Sequence, residues 1–233
     1  MMKSTRLKPL SSGAPRMSAA TPDAPASNCP VCPRLQAFRQ ANQRKFPDFH
    51  NAPVASFGPL DARLLIVGLA PGLKGANQTG RPFTGDFAGD LLYATLGKFG
   101  FAEGIYDRRP DDGLALRDCR ITNAVRCVPP ENKPTTQEIK DCLGFLTSEL
   151  TTLPNLRVLI ALGGIAHGAV LSALGLKKSH CKFVHQAVHA LPNGLLLIDS
   201  YHCSRYNTNT RRLTEEMFEA VFEKARRLLD APV

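Results

Sequence analysis

Three side chains in this sequence have the chemistry of an active site: the carboxylate of Asp86, the amide of Asn123 and the imidazole of His202. A carboxylate and an imidazole can move protons or stabilise charge, and an amide can pair with a polar ligand. Each follows an apolar stretch that predicts a strand. Ligands of open α/β sheets bind at the carboxyl ends of the strands, so we expect the three groups to converge there. Taken singly, each has a structural explanation, such as a helix cap for Asp86.

The seven cysteines contain a second candidate site. Cys29 and Cys32 form a C-x2-C pair that places two thiolates on one tight turn, as tetrahedral sulfur sites require. Cys127 lies just past a predicted strand, and Cys142 lies on the next helix, which can return it towards Cys127. Four sulfurs suit zinc and an iron–sulfur cluster equally well by ligand count. The remaining cysteines are Cys119, Cys181 and Cys203. We interpret Cys119 and Cys181 as ordinary core or surface thiols.

The first predicted strand and the loop after it must position Asp86. Leu64–Val67 is an apolar run of the length expected for a strand buried on both faces. The loop has six glycines between positions 68 and 89 and is interrupted by Pro71 and Pro82, so we expect neither helix nor strand in it. Asp86 then stands at the N-cap or in the first turn of a helix that continues through Asp90–Phe99. Such a loop brings backbone close to a ligand.

The rest of the chain alternates between predicted strands and helices. Further strands are predicted over residues 120–125, 157–162 and 194–199. Further helices are predicted over residues 33–46, 135–150, 165–174 and 214–229. Thr135 or Thr136, with Glu138 beyond, is a plausible capping arrangement. The pattern over residues 177–188 is ambiguous: it fits either an edge strand or an irregular excursion of the chain away from the sheet. This alternation predicts a parallel sheet between helices, with no second domain.

Length and charge restrict the class of protein. The 233 residues suit one ordinary domain plus tails. The formal charge of +9 favours a polyanionic partner, although many basic proteins bind none. Residues 1–28 are rich in Pro, Ala and Ser and lack a continuous apolar segment, which predicts a poorly ordered tail rather than a secretory signal. The longest apolar runs are strand-sized, and the cysteine count is odd, so we expect a cytoplasmic protein with reduced thiols.

Three motifs, in order, resemble those of the type B, or family 5, uracil-DNA glycosylases, with the thermostable family 4 enzymes as more distant relatives. They are GLAPG followed by GANQTGRPFTGD, then ITNAVRCVPPENKP, then HCSRYNTNTRRLTEEMF. The resemblance covers about Cys29–Phe222 and implies a single domain over residues 29–233. The implied fold is α/β, three-layer α/β/α around a four-stranded parallel sheet. A [4Fe-4S] cluster is implied on Cys29, Cys32, Cys127 and Cys142.

The implied activity is hydrolysis of the N-glycosidic bond of uracil, and often of other deaminated bases, in DNA. The base must be flipped out of the duplex, and bond cleavage leaves an oxocarbenium-like sugar and a uracil anion. The expected catalytic residues are Asp86, beside the sugar, and His202, a donor to the leaving base. Phe83 would stack on the base, and the Asn123 amide would pair with O4 and N3–H. The residues expected to bind substrate are Ala70, Gly72, Phe83 and Asn123.

The loop after the last strand is expected to contact DNA, since it surrounds an aromatic residue with basic ones. The residues concerned are Arg205, Tyr206, Arg211 and Arg212. Tyr206 could fill the gap that a flipped base leaves. Two positions depart from the family pattern. Cys203 replaces the usual Pro, which would stiffen the turn after His202, and Arg211 stands where Gly is usual. We expect a monomer that binds DNA and no membrane.

One alternative is a non-catalytic module that binds nucleic acid and is held together by an iron–sulfur cluster or zinc. The presence of Asp86, Asn123 and His202 together favours an enzyme, because a pure binding module would not need all three. A second alternative, a protein that binds the phosphates of a nucleotide, has less support in the sequence. The sequence has no GxxxxGK[ST] motif, and no GxGxxG motif in the right place.

Overall fold

The structure is a computed structural model that describes residues 20–231. Its strands are β1 Leu64–Gly68, β2 Ala102–Glu103, β3 Ala115–Leu116, β4 Cys119–Asn123, β5 Val158–Leu162, β6 Val188–Ala190 and β7 Leu196–Ser200. Its α-helices are α1 Pro33–Lys45, α2 Ala76–Thr79, α3 Phe87–Lys98, α4 Thr136–Asp141, α5 Leu143–Thr152, α6 Gly164–Ala173, α7 Arg205–Asn209 and α8 Glu215–Asp230. One 3₁₀ turn spans Pro130–Asn132.

The central sheet has the strand order β4-β1-β5-β7-β6. The first four strands of that order are parallel, as predicted, and their carboxyl ends lie at one edge. The expectation of four strands needs one correction, because β6 adds a fifth that runs antiparallel to β7. The ambiguous stretch over residues 177–188 is irregular up to Ala187, and this edge strand, Val188–Ala190, begins only at its last residue. The short β2–β3 ribbon was not predicted either.

Helices cover both faces of the sheet, which gives the predicted three layers. The strand residues from Leu64 to Val67 are fully buried, because alternate side chains point into two separate cores. Leu64 and Ile66 pack in a core with residues of α3 and α8. Leu65 and Val67 pack in the other core, with residues of α5 and α6. The fold is α/β, and it holds the carboxyl edge of the sheet rigidly between two layers of helices.

Two local predictions were wrong in detail. The Gly-rich loop was expected to contain no helix, yet α2 forms a single turn there, followed by Gly80 in the left-handed region, with φ of 77°. The helix predicted over residues 135–150 is two helices, α4 and α5, separated at Cys142. The predicted capping arrangement is present: the hydroxyl of Thr135 accepts from the Glu138 N–H while the Glu138 carboxylate accepts from the Thr135 N–H.

The predicted N-terminal tail lies mainly outside the described residues, which begin at position 20. Residues 20–28 form neither helix nor strand, but Pro22 is buried and the N–H of Asp23 donates to the hydroxyl of Ser148 at 2.8 Å. Within residues 20–231, no helix has the length and apolar character needed to cross a membrane.

Candidate active site

A cavity of about 340 Å³ opens at the carboxyl ends of β1 and β4, below the loop that follows β7. The structure brings Asp86, Asn123 and His202 together in its wall. The residues expected to bind substrate also line it, namely Ala70, Gly72, Phe83 and Asn123. A wider groove of about 660 Å³ between Tyr93 and Arg108 holds none of these groups, so we assign chemistry to the smaller cavity.

Asp86 is the N-cap of α3, and its Oδ1 accepts from the N–H of Gly89 at 3.1 Å. The other oxygen, Oδ2, lies against the Gly-rich loop. A β-carbon on Gly72 would lie 3.3 Å from Oδ2, and one on Gly75 would lie 2.5 Å from it, so a side chain at Gly75 would collide with the carboxylate. Burial raises the pKa of Asp86 above its ordinary value, although the helix N-terminus opposes this.

Phe83 lies beside Asn123 in the floor of the cavity. Its backbone is in the left-handed region, with φ of 53°, which costs free energy for a bulky residue. A β-carbon on Gly68, the last residue of β1, would collide with both the Phe83 ring and the Asn123 amide. Gly68 therefore allows these two groups to meet. The Phe83 ring centroid lies 6.1 Å from that of His202.

Two tyrosines that the sequence analysis missed hold the strained backbone at Phe83. The hydroxyl of Tyr106 donates to the Phe83 carbonyl at 3.2 Å and accepts from the Gly85 N–H at 3.2 Å. The hydroxyl of Tyr93 donates to the Pro82 carbonyl at 2.6 Å. The two rings stack with centroids 4.5 Å apart. Neither tyrosine belongs to a motif, so only the structure could reveal this support.

Arg81 contacts the stacked pair of Tyr93 and Tyr106. Its guanidinium donates to both carboxylate oxygens of Asp112, at 2.8 and 2.7 Å, and both side chains are almost fully buried. It also lies within 5.4 Å of the Tyr93 ring centroid and 5.7 Å of the Tyr106 centroid. The hydrogen bonds from Arg81 hold the pKa of Asp112 far below its usual range. The pair is therefore ionised and fixes the far side of the aromatic support.

Asn123 ends β4 with its side chain 3% exposed. Its Oδ1 is buried and has no hydrogen-bond partner among the described residues. An unsatisfied buried acceptor costs roughly 1–3 kcal/mol. In a cavity wall, such an atom is an unused recognition group, which a ligand donor could satisfy.

His202 stands just after β7, on the opposite wall of the cavity. Burial lowers the pKa of its imidazole, so the ring is neutral at pH 7 and retains one N–H to donate. Among the described residues, neither ring nitrogen has a hydrogen-bond partner, whereas its backbone carbonyl accepts from the Asn207 side chain at 2.8 Å. The backbone is thus anchored while the ring is left for a ligand.

The turn after His202 has its own support. Cys203 is fully buried, and its thiol lies 3.5 Å from the Ala88 carbonyl, which ties the turn to α3. Ser204 caps α7 by accepting from the Asn207 N–H. The short helix α7 was not predicted. These contacts hold the turn where the family pattern has a proline.

The four residues expected to contact DNA lie on α7 or in the turn that follows it, and only Arg205 reaches the cavity. The Arg205 side chain lines the cavity, with its guanidinium 5.3 Å from the Phe87 ring centroid. Tyr206 is 72% exposed on α7. Arg212 lies 4.7 Å above the ring centroid of Tyr201. Arg211 has φ of 56°, a conformation that suits the glycine usual at this position in the family.

The four candidate metal-binding cysteines line one small cavity between α1, the loop after β4 and the α4–α5 junction. They are Cys29, Cys32, Cys127 and Cys142. Cys142 lies at the break between the two helices, where its sulfur accepts from the Arg126 N–H at 3.4 Å. Arg39 donates to the Cys127 sulfur at 3.4 Å and to the Cys29 carbonyl at 3.0 Å.

The electrostatics of this sulfur site favour a cation. Burial, reinforced by the nearby sulfurs of Cys142 and Cys127, raises the pKa of Cys32 to about 12. Burial likewise raises the pKa of Cys127, to about 11, although Arg39 opposes it. Thiolates crowded together away from water repel one another, and a metal ion or cluster removes that repulsion. The donor set fits a metal centre with four sulfur ligands.

Comparison with known proteins places these features in a family. The profile of the uracil DNA glycosylase superfamily matches residues 55–226. A Thermus thermophilus protein named type-5 uracil-DNA glycosylase is 46% identical over 86% of this chain and 93% of its own length. A Mycobacterium tuberculosis protein of the same name is 39% identical over 87% of this chain and 78% of its own. A type-4 uracil-DNA glycosylase of Pyrobaculum aerophilum is 34% identical over 64% of this chain and 62% of its own.

Proposed function

The chain belongs to the uracil DNA glycosylase superfamily, and we propose that it is a type-5 uracil-DNA glycosylase acting in DNA repair. It hydrolyses the N-glycosidic bond between uracil and deoxyribose and leaves an abasic site. Other deaminated bases are further substrates. The observation that carries the proposal is the convergence of Asp86, Asn123 and His202 on one cavity at the sheet edge.

Recognition of the base rests on Phe83 and Asn123. The flipped base stacks on the Phe83 ring, and its polar edge faces the Asn123 amide. The unpartnered Oδ1 of Asn123 accepts from the uracil N3–H while the amide nitrogen donates to O4. Cytosine has no proton on N3 and carries an amino group in place of O4, so it would leave both ends of the amide unsatisfied. A site of this kind rejects the wrong base through its unpaired polar groups.

Cleavage of the glycosidic bond rests on Asp86 and His202. As the bond breaks, positive charge develops on the sugar and negative charge on the base. The Asp86 carboxylate stabilises the positive charge and orients water towards C1′. The neutral His202 ring donates its N–H to the departing uracil oxygen. Leu69, Ala70 and Pro71 line the cavity without a polar side chain, which leaves Asp86 as the carboxylate for this task.

The loop around α7 binds the DNA. Arg205 contacts phosphate near the flipped nucleotide, and Arg211 and Arg212 extend the basic surface. The exposed Tyr206 enters the gap in the base stack. The net charge of +9 supports a polyanionic substrate.

The four-cysteine site holds a [4Fe-4S] cluster bound by Cys29, Cys32, Cys127 and Cys142. The donor set fits, since all four cysteines line one small cavity and the sulfurs of Cys127 and Cys142 accept from N–H donors. When bound, the cluster ties α1 to the loop after β4, and no step of the hydrolysis passes through it. We also propose that the protein is a monomer and that it acts in the cytoplasm. The second proposal is supported by the seven cysteines, none of which is paired in a disulfide.

A panel of oligonucleotides tests the activity. The purified protein is incubated with matched strands that carry uracil, hypoxanthine, xanthine or ethenocytosine, and abasic sites are counted after alkaline cleavage. We expect abasic sites at uracil and none at cytosine. The Asn123→Ala variant should lose most of this activity, because the base edge loses its partner. Binding of the strands with no abasic sites on any of them would support the non-catalytic nucleic-acid-binding module instead.

A further inference from the structure

A cluster of two histidines, a cysteine and an aspartate lies outside the candidate active site, where β6 forms the edge of the sheet. One ring nitrogen of His167, one of His189 and the sulfur of Cys181 lie within 4.8 Å of one another. His167 belongs to the first turn of α6, His189 is the middle residue of β6, and Asp199 lies near the end of β7. Imidazole and thiolate together form a donor set that zinc prefers.

Asp199 orients both imidazoles. Its side chain is fully buried, with Oδ1 2.7 Å from Nδ1 of His167 and Oδ2 2.9 Å from Nε2 of His189. An ionised carboxylate only accepts, so each of these ring nitrogens carries a proton. Nδ1 of His189 is therefore left for a metal, and Nε2 of His167 becomes available once it gives up its contact with the Cys181 carbonyl. A carboxylate that holds the far nitrogen of a histidine is the usual outer shell of a zinc ligand.

We propose that this cluster is a zinc site separate from the four-cysteine centre. The ligands are Nε2 of His167, Nδ1 of His189 and the thiolate of Cys181, with water as the fourth. Nε2 of His167 lies 3.1 Å from the Cys181 carbonyl, so zinc replaces the proton on that nitrogen and the carbonyl turns away from it. Binding releases that proton and the thiol proton to solvent. Cys181 is then a ligand, not the ordinary thiol that its sequence context suggested.

The site would fasten a long, mostly irregular segment of the described chain. Between the end of α6 and the start of β7, the regular structure consists of the three residues of β6. This segment also carries His185, whose ring stacks on Tyr201 with centroids 4.8 Å apart and accepts from the Tyr201 N–H at 3.1 Å. Tyr201 directly precedes His202. Zinc would therefore stabilise the segment between α6 and β7, which contacts the residue before His202.

Metal content tests the proposal without reference to activity. The full chain, purified anaerobically with its iron, is equilibrated with zinc sulfate and desalted, and iron and zinc are counted by mass spectrometry. We expect about one zinc per chain, with a shell of about two nitrogens and one sulfur in zinc-edge X-ray absorption. Cys181→Ser and His189→Ala should each lower bound zinc at least about fivefold and leave iron unchanged. Both residues are half-buried, and the exposed neighbour provides a matched control, His180→Ala, which should keep full zinc.

Two results would overturn the proposal. One is a protein that retains no zinc after desalting, which would leave His167, His189 and Asp199 as a hydrogen-bond network alone. The other is zinc with a sulfur-only shell that persists in Cys181→Ser, which would place the ion on the four cysteines. Either result leaves the glycosylase proposal untouched, because abasic-site counting measures a different site.

Discussion

The hydroxyl of Tyr106 lies between the carbonyl of Phe83 and the N–H of Gly85 and bonds to both, each at 3.2 Å. Phe83 is the residue whose backbone is strained, with φ of 53°. One side chain from outside the Gly-rich loop thus fixes the residue on which the base stacks. It also fixes the backbone immediately before Asp86.

Replacing Tyr106 should therefore damage the site without removing any group that touches substrate. Tyr106→Phe leaves the Phe83 carbonyl and the Gly85 N–H without a partner, which should cost roughly 1–3 kcal/mol of unfolding free energy. The single-turnover rate on uracil should fall about tenfold as Phe83 and Asp86 lose their position. Urea denaturation and rapid-quench kinetics measure the two effects. Thr151→Val removes an exposed hydroxyl that bonds only within α5, so it is the control and should change neither stability nor rate. Equal behaviour of the two variants would refute the support role.

The sulfur site predicts the colour and metal content of the protein. With a [4Fe-4S] cluster, the purified chain should be brown and contain about four irons and four sulfides. Cys142→Ala should lose the cluster and much soluble protein, because the α4–α5 junction is no longer tied to the loop after β4. Cys119→Ala, at a buried cysteine outside the site, should keep its iron. A colourless protein with zinc on the four cysteines would exclude the iron–sulfur centre.

The rim residues predict a difference between duplex and single-stranded substrate. Arg205→Ala combined with Tyr206→Ala removes a guanidinium at the cavity and the exposed ring beside it. Duplex binding should weaken, whereas cleavage of single strands should suffer less, since no gap in a base stack needs filling. Filter binding and abasic-site assays on matched strands provide the comparison. Arg44→Ala controls for lost charge, and equal losses on both substrates would argue against a wedge.

The sequence predicted the parts of the fold that rest on local pattern. Apolar runs such as Leu64–Val67 identified the four parallel strands, and the topology then required Asp86, Asn123 and His202 to share an edge. The sequence could not show the role of Tyr106, which no motif includes. It also could not show the role of Arg81, which lies in the GANQTGRPFTGD motif but pairs with Asp112 in another segment. The fifth strand could not be placed within the ambiguous stretch, and α7 was missed, because three to five residues carry no readable period. Cys142 breaks a helix whose apolar pattern continues across it.

The shifted pKa values of the two reacting groups should set the acid side of the pH–rate profile. Burial raises the pKa of Asp86, and only the ionised form can stabilise the cation, so activity should fall as pH drops through that raised pKa. The fall should occur above the value of about 3.9 for an exposed aspartate. Burial lowers the pKa of His202, so the neutral ring persists at pH values where an exposed histidine is charged. Single-turnover rates across pH test this, and an acid limb at or below the exposed-aspartate value would contradict it.

Asp86 has two possible roles, as the cap of α3 and as a charged group in the reaction, and the structure shows the first of them. Its Oδ1 caps α3, and an asparagine would cap nearly as well as aspartate. If capping were the whole role, Asp86→Asn would be almost silent in stability and in rate. If the charge acts on the sugar cation or on water, the variant should fold normally and bind substrate but react slowly.

The most direct test is the single-turnover rate of Asp86→Asn on a uracil-containing strand, at saturating enzyme, beside His202→Ala. We predict that Asp86→Asn lowers the rate by a factor on the order of 10²–10⁴, with unfolding free energy and substrate binding unchanged. His202→Ala should differ, its penalty growing for bases that are poor leaving groups. A near-wild-type rate for Asp86→Asn would contradict the account and leave the cleavage to Asn123 and His202.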